Sequence, residues 1–267
     1  MQKLGGFDDN WKEKLIDDLK LKGYSRKTIR TYTYYAEKFV ESGVGLEQFL
    51  LGLINFGKSR STIRTAGFAI KFFLNREKQI NFQDLPNIKI NKKLPVILSK
   101  EEIDKIIKVC NNVKHRLIIM LLYSSGLRVS EVVNLKWEDV DFSRKTIHIK
   151  DAKGGKDRIT LLSNKVKREL LGFSIFRKGL VFKSNRNGRY SSRAVQAVVK
   201  NVAFKAGITK NVSPHSFRHS FATHLLEDGI DIRYIKELLG HSKIETTLIY
   251  TKVSGNTIRK IKSPFDN

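Results

Sequence analysis

The first ninety residues carry apolar positions with a helical period and nothing else. Residues 10–22 (NWKEKLIDDLKLK) are amphipathic and stop at Gly23. Ser25 is placed to cap a second helix reaching about Glu41, a third covers roughly 45–55 before Gly57, and Ser59 or Ser61 caps a fourth running to about Glu77. Residues 81–98 (NFQDLPNIKINKKLPVIL) lose the period; two prolines and several basic residues mark a linker. Ser99, with Glu102 three residues later, has the form of a capping box and opens a new helix. Helices are expected at 100–110 and 114–125, from near Val129, and at 164–171, 192–206, 214–228, 232–239 and 243–250. KTIHIK (145–150) and DRITLL (157–162) alternate as strands do, joined by the turn AKGGK, and VFK (181–183) adds a third short strand. The pattern predicts a mainly α protein with a small antiparallel β-sheet in two domains. These are a helical domain at 1–84, a linker at 85–98 and an α+β domain at 99–267.

Two of the predicted helices start almost identically. SRKTIRT (25–31) and SRSTIRT (59–65) match at six of seven positions, 34 residues apart. Two copies with unrelated flanks do not make a repeat array. Two well-capped helix starts would share these letters for their own reasons. Each start also offers unpaired N–H groups, and Arg26, Lys27, Arg30, Arg60 and Arg64 add charge, so the pair is suited to gripping phosphates.

Charge narrows the partner. Lys+Arg number 51 against 26 Asp+Glu, a net charge of +25, spread through both halves of the chain. A surplus this large repels itself, and a polyanion relieves it, so nucleic acid is the expected partner. Lysine used only for solubility is the plainer explanation. No apolar run reaches membrane-spanning length, and MQKLGGFDDNWKEK has no signal-peptide core. Cys110 is the single cysteine, which excludes an internal disulfide and a cysteine-based zinc cluster.

HSFRHSFATH (215–224) first reads as a metal site, because His215 and His219 share a helical face. A zinc hydrolase would have Glu after the first His; here that residue is Ser216, and Arg218 would put a fixed positive charge beside the ion. The better reading is an anion site. Pro214 suits the first helical position, and His215 and Arg218 are neighbours at i and i+3. Arginine clamps a phosphate through parallel N–H bonds. Other phosphate-type residues stand in GLRVSE (126–131) at Arg128, in KGGK (153–156), and in LLGHSKIETTLIYTKV (238–253), where His241 follows Gly240 and Tyr250 comes nine residues later. Ser242 and Glu245 repeat the capping-box spacing.

In this order and spacing, GLRVSE, HSFRHSFATHLL and LLGHSKIETTLIYTKV resemble the two arginine boxes and the nucleophile box of the tyrosine recombinases, the phage-integrase family, and most of all its Xer-type members. The resemblance spans essentially the whole chain. It implies a helical core-binding domain followed by a catalytic domain that cuts and rejoins DNA without metal, ATP or other cofactor. It implies that Tyr250 attacks the scissile phosphate to give a 3′-phosphotyrosyl link. Arg128 and Arg218 would hold the non-bridging oxygens, with His215 and His241 completing the shell and His215 accepting the proton. Lys153 would protonate the departing 5′ oxygen. Lys156 shares the turn, but the pattern G-K-G-x-K-x-R makes the first lysine catalytic. Here Ala152 replaces the leading glycine, and the usual proline after the second strand is missing.

His219, His224, His115 and His148 are read as structural, and Glu131 as orienting its neighbours. The tail TKVSGNTIRKIKSPFDN is expected to dock on a neighbouring subunit of a tetramer that pairs two duplex DNA sites. The compact length points to a chromosomal, dif-type role, and the expected location is the cytoplasm, associated with the nucleoid. A phage, plasmid or transposon integrase is the alternative, and a non-catalytic architectural DNA-binding protein a more distant one. The lysine-rich, cysteine-poor composition is compatible with a thermophilic archaeal source.

Overall fold

The computed structural model describes residues 7–78, 94–150, 157–174, 177–184 and 188–252. The chain divides into two compact units, Met1–Lys92 and Lys93–Asn267.

The first unit contains four described helices, α1 (Trp11–Leu21), α2 (Arg26–Ser42), α3 (Leu46–Asn55) and α4 (Arg60–Lys78). Helical spacing places Leu15 and Leu19 of α1, Ala36 and Phe39 of α2, and Ile70, Phe73 and Leu74 of α4 in one core. Leu50, Ile63 and Ala66 form a second cluster between α3 and α4. Full burial of Phe39 and Phe73 is worth roughly 1.5–3 kcal/mol each. The two near-identical starts have identical local structure. Ser25 Oγ accepts from Thr28 N–H, and Ser59 Oγ from Thr62 N–H, both at 3.2 Å. Thr31 and Thr65 hydroxyls donate back to the carbonyls of Lys27 and Ser61, both at 2.9 Å. Ser59, not Ser61, is therefore the cap. Capping alone accounts for the shared serine and threonines of the repeated sequence, while its basic residues are exposed, Arg64 lying over the Phe68 ring at 5.4 Å.

The second unit begins with α5 (Lys100–Val109), where Ser99 and Glu102 form the expected reciprocal capping box. It continues through α6 (Val113–Ser124), α7 (Val129–Asn134), β1 (Val140–Asp141), β2 (Thr146–Ile149) and β3 (Arg158–Leu161). It then runs through α8 (Asn164–Phe173), α9 (Ser192–Lys205), α10 (Pro214–Glu227) and α11 (Ile232–Leu239). Every residue from Leu117 to Leu122 of α6 is buried, so α6 is the central helix, with α8, α9 and α10 packed on it. Helix α10 is nearly as enclosed, burying even Ser216, Arg218, Ser220 and Thr223.

The sheet is antiparallel in the order β1-β2-β3. Its register sets Ile147 opposite Thr160 and Ile149 opposite Arg158 on the buried face. Ile159 and Leu161 face outward, 61% and 43% exposed. Hydrophobicity alone would turn β3 over. Thr160 faces inward because its hydroxyl donates to Ser125 O at 2.8 Å, and Arg158 because it meets the buried carboxylate of Glu131.

Two expectations need correction. The third strand is Val140–Asp141, since 181–183 adds no strand: Leu180 and Lys183 make only isolated bridges, to Lys136 and Arg189. Residues 243–250 form no α-helix. They wind into two 3₁₀ turns, Ile244–Thr246 and Leu248–Lys252, the first entered at Lys243 without a side-chain cap, so Ser242 does not cap it. Bonds from i+3 to i, Thr247 N–H to Ile244 O and Tyr250 N–H to Thr247 O, replace the i+4 pattern.

Candidate active site

Helix α11 ends at Gly240, whose φ is +62°. The last carbonyls of a helix lack intrahelical partners and carry the negative end of its dipole. Three consecutive ones here each accept from an arginine. Leu238 O accepts from Arg158 Nε at 2.9 Å, Leu239 O from Arg218 Nη2 at 2.5 Å, and Gly240 O from Arg128 Nη2 at 3.2 Å. Arg218 Nη1 donates as well to Gly126 O at 2.5 Å. Cations from β3, α10 and the start of α7 are thus drawn to one helix end. The approach needs glycine, because a Cβ on Gly240 would lie 2.6 Å from Arg158 Cδ.

Glu131 supplies the counter-charge. Its carboxylate accepts from the backbone N–H and Nη1 of Arg128 and from both terminal nitrogens of Arg158, all at 2.7 Å. The Glu131 and Arg158 side chains are 7% and 6% exposed. Burial pushes the carboxyl pKa up, but the bonds and charge of Arg158, then Arg128, outweigh it and hold the group at about 2. Three guanidiniums against this one carboxylate leave a positive surplus. Among the described residues, Arg128 and Arg218 each commit two of an arginine's five N–H groups, which leaves three on each for an incoming acceptor. Burial and the neighbouring Arg128 lower Arg218 to about 9, so it keeps its charge at neutral pH.

Tyr250 is 2% exposed. Its ring stacks on His241, centroids 6.5 Å apart with planes at 17°, and tilts against His219 at 5.6 Å. His241 is held by Thr247, whose hydroxyl lies 2.9 Å from His241 Nδ1. Because the 3₁₀ turn bonds Tyr250 N–H to Thr247 O, one short backbone segment positions both the imidazole and the phenol. Burial raises the phenol's pKa, and Arg218 and Arg128 pull it back. Burial, then the arginine charges, lower His241 to about 4. Burial, then His215 and Arg218, lower His219 to about 4. Both imidazoles are therefore neutral at pH 7. His215 is exposed as a residue, with its ring centroid 6.3 Å from that of His219. Desolvation of the imidazole, Arg218 and Arg128 move its pKa down.

Five of the six predicted site residues, Arg128, His215, Arg218, His241 and Tyr250, therefore share one site, while Lys153 lies outside the described residues. Arg26, Lys27, Arg30, Arg60 and Arg64 belong to the other unit, exposed at the starts of α2 and α4. His224 hydrogen-bonds Tyr123 Oη through Nδ1 at 2.9 Å, a packing role as expected. His219 differs from expectation. Its Nδ1 lies 3.1 Å from Tyr250 Oη, since one helical turn beyond His215 it still faces the site. Sequence reasoning gave no role to Arg158 or Thr247. Arg158 ends the G-K-G-x-K-x-R pattern, the only signal it offered. Among the described residues no three His, Cys, Asp or Glu side chains group as metal ligands would.

The phage integrase family model matches residues 97–256. The chain is 40% identical over 260 residues to the tyrosine recombinase XerA of Pyrococcus horikoshii, covering 93% of this chain and 90% of that protein. A crystal structure of XerA recombinase, 26% identical, superposes with a TM-score of 0.58 over 96% of this chain and 99% of its own. The XerH site-specific recombinase, solved bound to a palindromic difH substrate after cleavage, shares the fold at 21% identity. Its TM-score is 0.72, over 100% of this chain and 92% of its own.

Proposed function

Since the chain belongs to the phage integrase family, the tyrosine recombinases, and so is a DNA-cleaving and rejoining enzyme, we propose that it is a Xer-type recombinase acting at a dif-like chromosomal site through a 3′-phosphotyrosyl intermediate. The observation that carries this reading is Tyr250, buried beside two neutral imidazoles and within the field of two arginines that retain uncommitted donors. A phosphodiester entering this site meets the positive surplus left by Arg128, Arg158 and Arg218 over Glu131. Its non-bridging oxygens accept from Arg128 and Arg218, and the charge they gain in the transition state strengthens those bonds. Tyr250 Oη attacks phosphorus, and the bond to the 5′ oxygen breaks. Lys153 supplies the proton to that oxygen, and His215 and His241 complete the phosphate shell. The tyrosyl ester conserves the bond energy, so the reverse attack by a 5′ hydroxyl rejoins a strand.

The double-stranded DNA partner is supported by the net charge of +25 and by the relative solved on its difH substrate. Arg26, Lys27, Arg30, Arg60 and Arg64 are assigned to phosphates of the same duplex. The enzyme works as a tetramer on two synapsed sites, joined through the C-terminal tail, in the cytoplasm at the nucleoid. Incubation with a nicked suicide substrate tests the chemistry. A covalent protein–DNA adduct is expected, absent in Tyr250→Phe. No adduct, or one that survives the substitution, refutes the reading. Mapping bound chromosomal DNA tests the dif-like role. A single dominant chromosomal site is expected, whereas mobile-element ends would assign the protein to an integrase role.

A further inference from the structure

We propose that His219, on α10, is a catalytic residue that takes the proton from Tyr250 as the tyrosine attacks DNA. The inference rests on Tyr250 being the nucleophile. The family's boxes give this task to no residue at position 219, and the expected acceptor, His215, has no bond to Tyr250 among the described contacts.

Geometry singles out His219. Its Nδ1 lies 3.1 Å from Tyr250 Oη, within the reach a general base needs. A phenol has one proton to donate. With the imidazole neutral and its hydrogen on Nε2, Nδ1 is left as the acceptor. His241 is the other ring against the tyrosine, but its Nδ1 is occupied by Thr247. Among the described residues, the charged and titratable groups around His219 are His215 and Arg218 on its own helix and His241 and Tyr250 after α11, while Arg128 at the start of α7 acts on His241 and Tyr250.

These neighbours also explain control. Among the described residues, the groups that act on His219 are His215 and Arg218, and both oppose a proton there, which disfavours the transfer in the free protein. A phosphate bound by Arg218 and Arg128 supplies the missing negative charge, so the tyrosine is activated only when DNA is present. The Oη–phosphorus bond forms, the bond from phosphorus to the 5′ oxygen breaks, and the Tyr250 proton moves to His219 Nδ1. The leaving oxygen takes a proton from the general acid. In rejoining, His219 returns the proton to Tyr250.

The test is the pH dependence of adduct formation by the full chain on a nicked suicide substrate, between about pH 6 and about pH 9. Wild type and Tyr250→Phe run in parallel. No wild-type adduct, or an adduct in Tyr250→Phe, overturns the functional reading and this inference with it. His219→Asn keeps an acceptor near the Nδ1 position but no base. DNA retention should be unchanged, while cleavage at neutral pH should fall by about 10² to 10⁴. The rate should then climb roughly tenfold per pH unit where wild type is level, because hydroxide must now remove the proton. An Asn variant as fast as wild type, or slower by the same factor at every pH, overturns the proposal in favour of a positioning role. A second measurement leaves His219 intact. The ¹⁵N resonance of its Nδ1 should shift when Tyr250→Phe removes the hydroxyl, and an unmoved resonance also overturns the proposal.

Discussion

Replacing Glu131 with glutamine keeps the shape of the side chain and removes the one negative charge shared by Arg128 and Arg158. The fall of the Glu131 carboxyl from 4.5 to about 2 corresponds, at ~1.36 kcal/mol per pH unit, to ~3 kcal/mol in favour of the ionised form. That agrees with the ~3–5 kcal/mol typical of breaking a buried ion pair from one side. The folded-state value lies below the unfolded one. The stabilisation is therefore complete well above pH 4.5 and is lost as pH falls through about 2. By about pH 3.5 it is down to ~2 kcal/mol. The chain has two tryptophans, and only Trp137 lies in the second unit, in its core. In a Trp11→Phe background, urea unfolding followed by Trp137 fluorescence reports on that unit. Glu131→Gln should be weaker than its parent by ~3 kcal/mol at pH 7, and the gap should narrow on acidification. A gap under ~1 kcal/mol, or one that stays constant with pH, would refute the account of Glu131 as a buried ionised hub.

Other expectations follow from the same geometry. Gly126→Ala meets Phe221 Cδ1 at 2.5 Å and is strained at φ +59°, so thermal melting should show a loss of ~2–4 kcal/mol. Gly240→Ala presses on Arg158 Cδ and should depress adduct formation by more than its effect on melting predicts, since it displaces the arginine cluster. Thr247→Val frees the His241 ring with little change in volume. Single-turnover cleavage should drop about tenfold, the worth of one hydrogen bond, while DNA affinity by gel retention holds. DNA affinity should fall steeply and linearly with salt on a log–log plot. Removing Arg26, Arg30, Arg60 and Arg64 together should flatten the slope by about four, if each neutralises one phosphate.

The helices of both units were legible from local chemistry, because amphipathic period and serine caps act over three or four residues. Ser25, Ser59 and Ser99 cap as their sequences predict. The ordered boxes likewise marked five of the residues that meet in the site. Tertiary structure decided what local pattern could not carry. Strand β3 turns Arg158 and Thr160 inward and leaves Ile159 and Leu161 outside, because partners distant in sequence, Glu131 and Ser125, satisfy the buried polar groups. Residues 243–250 have helical letters but wind as 3₁₀ turns that bury Tyr250 against His219 and His241. His219 shares a helical face with His215, but its partner Tyr250 lies 31 residues further along the chain, so only the fold brings the two together. Local pattern settled most of the elements and all of the charges, but not the 3₁₀ turns at 244–252 or the strand at Val140–Asp141. Only the packing of α10 and β3 on the C-terminal end of α11 decided which charges meet, since contacts between distant residues depend on the whole fold.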